Sequence, residues 1–120
     1  MAAANPVRRI LGEIAKIEGV QGALLVSKDG FIIDAVIPSA EINKDAVAAM
    51  VTSMFDAATN FSREFGLGDL SLMTIEYKNS MALGAPIGDA YLVVLAESGA
   101  TIGRIRYEIQ KQKDRLKAAL

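Results

Sequence analysis

The side chains of this 120-residue chain that could carry out a reaction are hydroxyls, carboxylates and amines, because it contains neither cysteine nor histidine. Thiolate nucleophiles, disulfides and the usual zinc ligand sets are therefore absent. A serine such as Ser53 or Ser80 has no imidazole to accept its proton, and no two carboxylates are tied by their spacing to one pocket. Gly66-Leu67-Gly68 follows a helical stretch and lacks the third glycine of a dinucleotide fingerprint, and no Gly-Lys-Ser/Thr sequence is present to cradle phosphates. Gly99 and Gly103, four residues apart, suit a closely packed helix start better than a membrane dimer face. No catalytic residue, cofactor or metal is expected, and the chemistry on offer is that of surfaces.

Length and charge set the frame. At 120 residues the chain suits one compact domain over residues 1–120. Met1 to Asn5 lack a charged segment leading into an apolar run, and no apolar stretch has the length of a bilayer span, so a cytoplasmic protein without direct membrane insertion is expected. The net charge of −1 is unevenly spread: residues 1–103 hold 7 basic and 12 acidic groups, residues 104–120 hold 6 and 2. Such a bias can favour nucleic acid or an acidic membrane. On a terminal helix the plainer reading is a solvated face that complements the helix dipole, and no nucleic-acid partner is expected.

The stretch from Asn43 to Gly66 dominates the pattern. Val47, Met50, Val51, Met54, Ala58, Phe61 and Phe65 recur at steps of three and four, which gathers them on one helical face expected to lie on the core. Phe55 points elsewhere, with Ala48, Thr52, Thr59 and Ser62, and no charged residue stands between Asp45 and Asp56. An ordinary surface helix has charges opposite its single apolar stripe. Two uncharged faces imply burial on two sides, against the chain's own sheet and against a partner.

Around this helix the other elements follow from local signals. Asn5-Pro6 is a helix start, with Val7, Ile10, Leu11, Ile14 and Ile17 as its stripe and Gly19 as its stop. Two apolar runs, 20–27 and 31–37, flank Lys28-Asp29-Gly30, a hairpin signal. Pro38 closes the second strand, and Asn43 is the expected cap of the long helix. Strands are expected over 70–77, 81–86 and 90–96. The last is apolar on both faces and hence central; the first mixes Ser71, Thr74 and Glu76 with Leu72, Met73 and Ile75 and suits an edge open to pairing. A final helix after Gly99 carries Ile102, Ile105, Ile109 and Leu116, and the break at Gln112-Lys113 suggests that its last turns run partly free. The order α-β-β-α-β-β-β-α reads as α+β, a five-stranded antiparallel sheet with the long helix on one face and the terminal helices on the other.

Several of these features, in this order, resemble the roadblock family, which includes dynein-light-chain-like domains and the MglB-type partners of small GTPases. They are Gly19-Val20-Gln21-Gly22-Ala23 opening the first strand, Lys28-Asp29-Gly30 in its turn, Pro86-Ile87-Gly88-Asp89 before Tyr91-Leu92-Val93-Val94-Leu95, and Ala100-Thr101-Ile102-Gly103 before the last helix. The likeness runs from about Val7 to Leu116. It implies a profilin-like sandwich and a homodimer with the long helices antiparallel and the third strands paired across the two-fold axis.

On that resemblance the dimer surface is expected at Ala48, Val51, Thr52, Phe55, Thr59, Met73 and Ile75, with Phe55 as anchor. A small Ras-like GTPase is expected on the outer face of the helix, at Ala49, Ser53, Asp56, Asn60 and Arg63. Arg63 is read as a solvated charge and not as a catalytic finger. The resemblance thus implies a non-enzymatic regulator of a nucleotide cycle; the alternative is a structural adaptor of a motor or scaffold complex, indifferent to nucleotide. A small-molecule sensor is a third reading. It is disfavoured because Met50, Met54, Phe61 and Phe65 are expected to fill the layer between helix and sheet.

Overall fold

The computed structural model describes residues 5–38 and 41–120; the leader reading of Met1 to Ala4, and Ser39-Ala40 of the connection into the long helix, lie outside them. Three helices, α1 (Pro6–Ala15), α2 (Lys44–Phe65) and α3 (Ile102–Ala119), alternate with five strands: β1 (Val20–Ser27), β2 (Ile32–Val36), β3 (Met73–Glu76), β4 (Ser80–Ile87) and β5 (Ala90–Glu97). One antiparallel sheet runs in the order β2-β1-β5-β4-β3. The expected α+β architecture is thus present, with β5 at the centre and β3 at an edge.

The capping chemistry follows the residue types. Asn5 accepts a hydrogen bond from the Arg8 N–H with Pro6 behind it, and Asn43 accepts one from the Ala46 N–H. Each satisfies a donor that the first helical turn leaves unpaired. Gly66 ends α2 in the left-handed conformation, at φ 63°, where a side chain would be strained.

Alternation along the strands divides the core. Ala23, Leu25, Leu83, Leu92 and Val94 face α1 and α3, which also lie against each other. Leu24, Val26, Tyr91 and Val93 face α2 and meet Ala48, Val51 and Phe55. The expectation for α3 is corrected here. Gln112 is buried, its carbonyl oxygen taking a 2.8 Å hydrogen bond from Arg115, and Leu116 is wholly buried, so the helix stays docked past the polar break. A polar side chain can sit in a packed interface once it is bonded.

The rotation of α2 about its axis is also corrected. Phe55 is fully buried, stacked on Tyr91 with ring centroids 4.1 Å apart and planes 5° from parallel. Beneath it lies Gly84 of β4, where a Cβ would come within 2.7 Å of the Phe55 ring. Glycine in the middle of a strand often marks such a close approach. Phe55→Ala should destabilise the fold by about 3–5 kcal/mol through the cavity it leaves. Gly84→Ala should cost about 1–3 kcal/mol through overpacking against a ring already held by Tyr91; chemical denaturation of the purified variants measures both.

Candidate functional site

With Phe55 fixed on the sheet, the other faces of α2 are assigned. At about 100° per residue, Ala48, Val51 and Phe55 fall within one arc of about 60° turned to the sheet. Ala48, Val51 and Phe55, expected at a dimer surface, are therefore buried within their own chain and present nothing to a partner. The large residues expected in the core are outside instead: Met50 is 57% exposed, Phe61 60% and Phe65 67%. With half-buried Met54 they occupy a second arc of about 60°, roughly 100° from the first.

This apolar flank has a neighbour on the sheet. α2 packs mainly on β1, β5 and β2, so the same side of β4 and β3 carries no comparable helical cover. Met73 and Ile75 pair in register with Gly84 and Ala82 and are half-buried on that side. Met54 and Met73 both pack at the margin of the α2-side core. Of the residues expected at the dimer surface, Met73 and Ile75 thus stand on an edge strand, and Thr52 and Thr59 are half-buried on the opposite flank of α2.

The outer face of α2 is polar. Ala49, Ser53, Asp56, Asn60 and Arg63 are all exposed and share an arc of about 80°. Ser53 hydrogen-bonds back to the Ala49 carbonyl at 2.9 Å, and Arg63 donates to Asn60 at 3.1 Å. The face is ordered by its own short-range bonds and leaves the Asp56 carboxylate and the Arg63 guanidinium toward solvent.

Two hollows adjoin α2. One, of about 360 Å³, lies beside its first turn between Leu24, Ile37, Val47 and Leu95. It is almost wholly apolar, and no charged side chain is among its described lining residues. The layer beneath the middle of the helix is filled, though by Phe55, Val51 and Ala48 and not by Met50, Phe61 and Phe65 as expected. The second is an open polar cleft of about 560 Å³ at the C-terminal half, lined by Lys28, Asp56, Arg63, Asp69 and Tyr91 among others. No group of three acidic side chains placed to hold a metal occurs among the described residues.

Tyr91 joins the core to this cleft. Its phenol pKa is raised, first by burial and second by the negative charge of Asp56, both of which oppose a phenolate. Sequence reasoning missed Tyr91 and Gly84. The signal available was a glycine inside a strand, which together with a large aromatic on the covering helix marks a packing point.

The architecture defines a sandwich of one sheet between helical layers with a partly uncovered helix flank. The Roadblock/LC7 domain family matches residues 7–96, and the chain belongs to that family. The uncharacterized protein MJ0310 of Methanocaldococcus jannaschii is 33% identical over 93% of this chain and 97% of its own length. Among solved structures, MglB of Myxococcus xanthus superposes with a TM-score of 0.90 at 18% identity, covering 98% of this chain and 96% of its own. The likeness of fold extends to LokiProfilin2, solved with rabbit actin, at a TM-score of 0.66 and 12% identity over 98% of this chain and 100% of its own. The sandwich is therefore a roadblock domain, with a profilin-like neighbour.

In a background with Tyr77 and Tyr107 replaced by phenylalanine, Tyr91 should ionise above the ordinary value of 10.0 in an ultraviolet pH titration. Asp56→Asn should bring it part of the way down, because burial is the larger cause. The unfolded chain then loses its proton first, so the Tyr91 contribution is intact below about pH 10 and declines as pH rises through the folded value.

Proposed function

We propose that the protein is a homodimeric, non-catalytic regulator that binds a small Ras-like GTPase and modulates its nucleotide cycle. The observation that carries the reading is the uncovered apolar flank of α2, Met50, Met54, Phe61 and Phe65, beside the edge strand β3. Solvent-exposed aromatics gathered on one flank mark an interaction surface, and an unpaired strand edge beside them can extend the sheet into a second copy. A two-fold axis needs only one such self-complementary patch. The interface we assign is that flank with Met73 and Ile75, in place of Ala48, Val51 and Phe55.

The GTPase part of the reading rests on the family resemblance and on the character of the outer α2 face. Ala49, Ser53, Asp56, Asn60 and Arg63 form an exposed, largely polar face, of which Asp56 and Arg63 line the cleft at Lys28 and Tyr91; such a surface suits a partner that must come and go. Absence of cysteine and histidine supports a binding role.

Light scattering on the purified protein should give twice the 12.8 kDa mass of the chain. Phe61→Glu should yield a folded monomer, because Phe61 is outside the core, whereas Phe55→Glu should fail to fold; a wild-type monomer would remove the dimer. Capture of partners from lysate of the source organism, with a non-hydrolysable GTP analogue or with GDP, tests the second part. Retention of a small GTPase with the analogue alone is expected, weakened by Asp56→Lys or Arg63→Glu. A nucleotide-indifferent set of scaffold proteins would establish the adaptor instead.

A further inference from the structure

The net charge of −1 conceals a separation that only the fold makes visible. α1 and the turn after it, residues 5–19, carry Arg8, Arg9 and Lys16 against Glu13 and Glu18; α3 adds six basic residues against Glu108 and Asp114. The two helices pack side by side on one face of the sheet, so this layer holds a net charge of +5. Residues 20–101 hold four basic and ten acidic groups, a net −6.

Few of the cations in the layer are neutralised at close range. Among the described residues Arg8 pairs with Asp34 at 2.7 Å and Arg115 with Glu13 at 3.2 Å. Lys113 donates to the Ser71 carbonyl but keeps its charge. Arg9 and Lys16 project from the side of α1 opposite its buried stripe of Val7, Ile10, Leu11 and Ile14. On α3 the exposed Tyr107, 64% accessible, stands one turn from both Arg104 and Lys111, the i−3 and i+4 neighbours that share its face.

We propose that the α1–α3 layer adsorbs to an anionic lipid bilayer. Basic side chains spread over two adjacent helices, with an aromatic ring between cations, suit phosphate headgroups over a broad face. Nucleic acid fits less well, since the cleft at Arg104 brings in the carboxylates of Glu18 and Glu97, and in the hollow between α1 and α3 lined by Arg9 and Arg115 the second arginine is already paired with Glu13. The mode is adsorption, as no described helix is long and apolar enough to cross a membrane. Of the acidic groups outside the two helices, Asp34 reaches the layer and pairs with Arg8, and Glu97 borders it beside Arg104. Asp45, Asp56 and Glu64 lie on α2, across the sheet, so the charge is divided between the two faces and favours one orientation.

The dimer reading adds strength without being required. Two copies joined edge to edge through β3 would extend one sheet and place both α1–α3 layers on one side of it, doubling the cationic face, with both α2 helices on the other. Binding would then gain from two attachments.

Sedimentation with vesicles of phosphatidylcholine alone, or with about one-third phosphatidylglycerol, tests the proposal. Pelleting is expected with the anionic vesicles only, and should fall steeply with added salt. Each lost cation should weaken partitioning about fivefold, so Lys16→Glu combined with Lys111→Glu should weaken it at least ~25-fold. Lys44→Glu, at the start of α2, should leave it unchanged. No pelleting, equal pelleting with neutral vesicles, or displacement by a short RNA at the same salt overturns the proposal. Light scattering separates it from the dimer reading: a monomeric protein that still pellets with anionic vesicles supports adsorption and removes the doubling, whereas a dimer that ignores them overturns adsorption alone.

Discussion

The seating of the Phe55 ring in the gap left by Gly84, with Tyr91 stacked against it, fixes how the long helix is turned. A helix can lie on a sheet in many rotations, and generic apolar residues choose among them weakly. An aromatic ring over a missing Cβ chooses strongly, because any other residue at Gly84 would occupy the space the ring needs. Ala48 and Val51, a turn or two earlier on the same arc, let the helix approach closely on that side. Once these three face the sheet, Met50, Phe61 and Phe65 have no place to go but outward.

The exposed flank is thus a consequence of core packing and not a local accident. Burying Phe61 or Phe65 against the sheet would expose Phe55, one large apolar side chain for another, and open a hollow above Gly84. Cover for both arcs at once requires atoms that the described chain does not supply. That constraint links the core to the proposed dimer, and it leaves the third arc, with Asp56 and Arg63, polar and clear of both.

Much of the fold was legible in the sequence because it is written locally. Asn5-Pro6 and Asn43 cap helices by a single hydrogen bond each, Asp29-Gly30 turns a hairpin, and the unbroken apolar run of β5 can only be central. The site was legible in part. Surplus apolar surface on α2 could be counted, but which of two adjacent arcs met the sheet depended on β4, some thirty residues downstream, where Gly84 decides it. Periodicity favoured the arc with more large side chains, Met50 through Phe65, and the packing chose the arc whose single ring fits. The outer face at Ala49, Ser53, Asp56, Asn60 and Arg63 was identified as exposed under either rotation, since it lies far from both arcs. Gln112 misled for a similar reason: its burial depends on Arg115, a partner that hydropathy alone does not reveal.

Separation of charge follows the same logic of layers. The sheet divides the molecule into a side with α1 and α3 and a side with α2, and its strands carry few charges, Asp34 of β2 being the one that pairs into the α1–α3 layer, with Arg8. Arg115 and Glu13 tie the two terminal helices together at their partly exposed seam, where one pair has little effect on stability but removes one cation and one anion from the count. The cations that remain, such as Arg9, Lys16 and Lys111, form no ion pair among the described residues. Helix dipoles account for only those in the last turn, such as Lys117. A positive layer on a net-negative protein, on the side away from the apolar flank, is the asymmetry on which the proposed adsorption to an anionic surface rests.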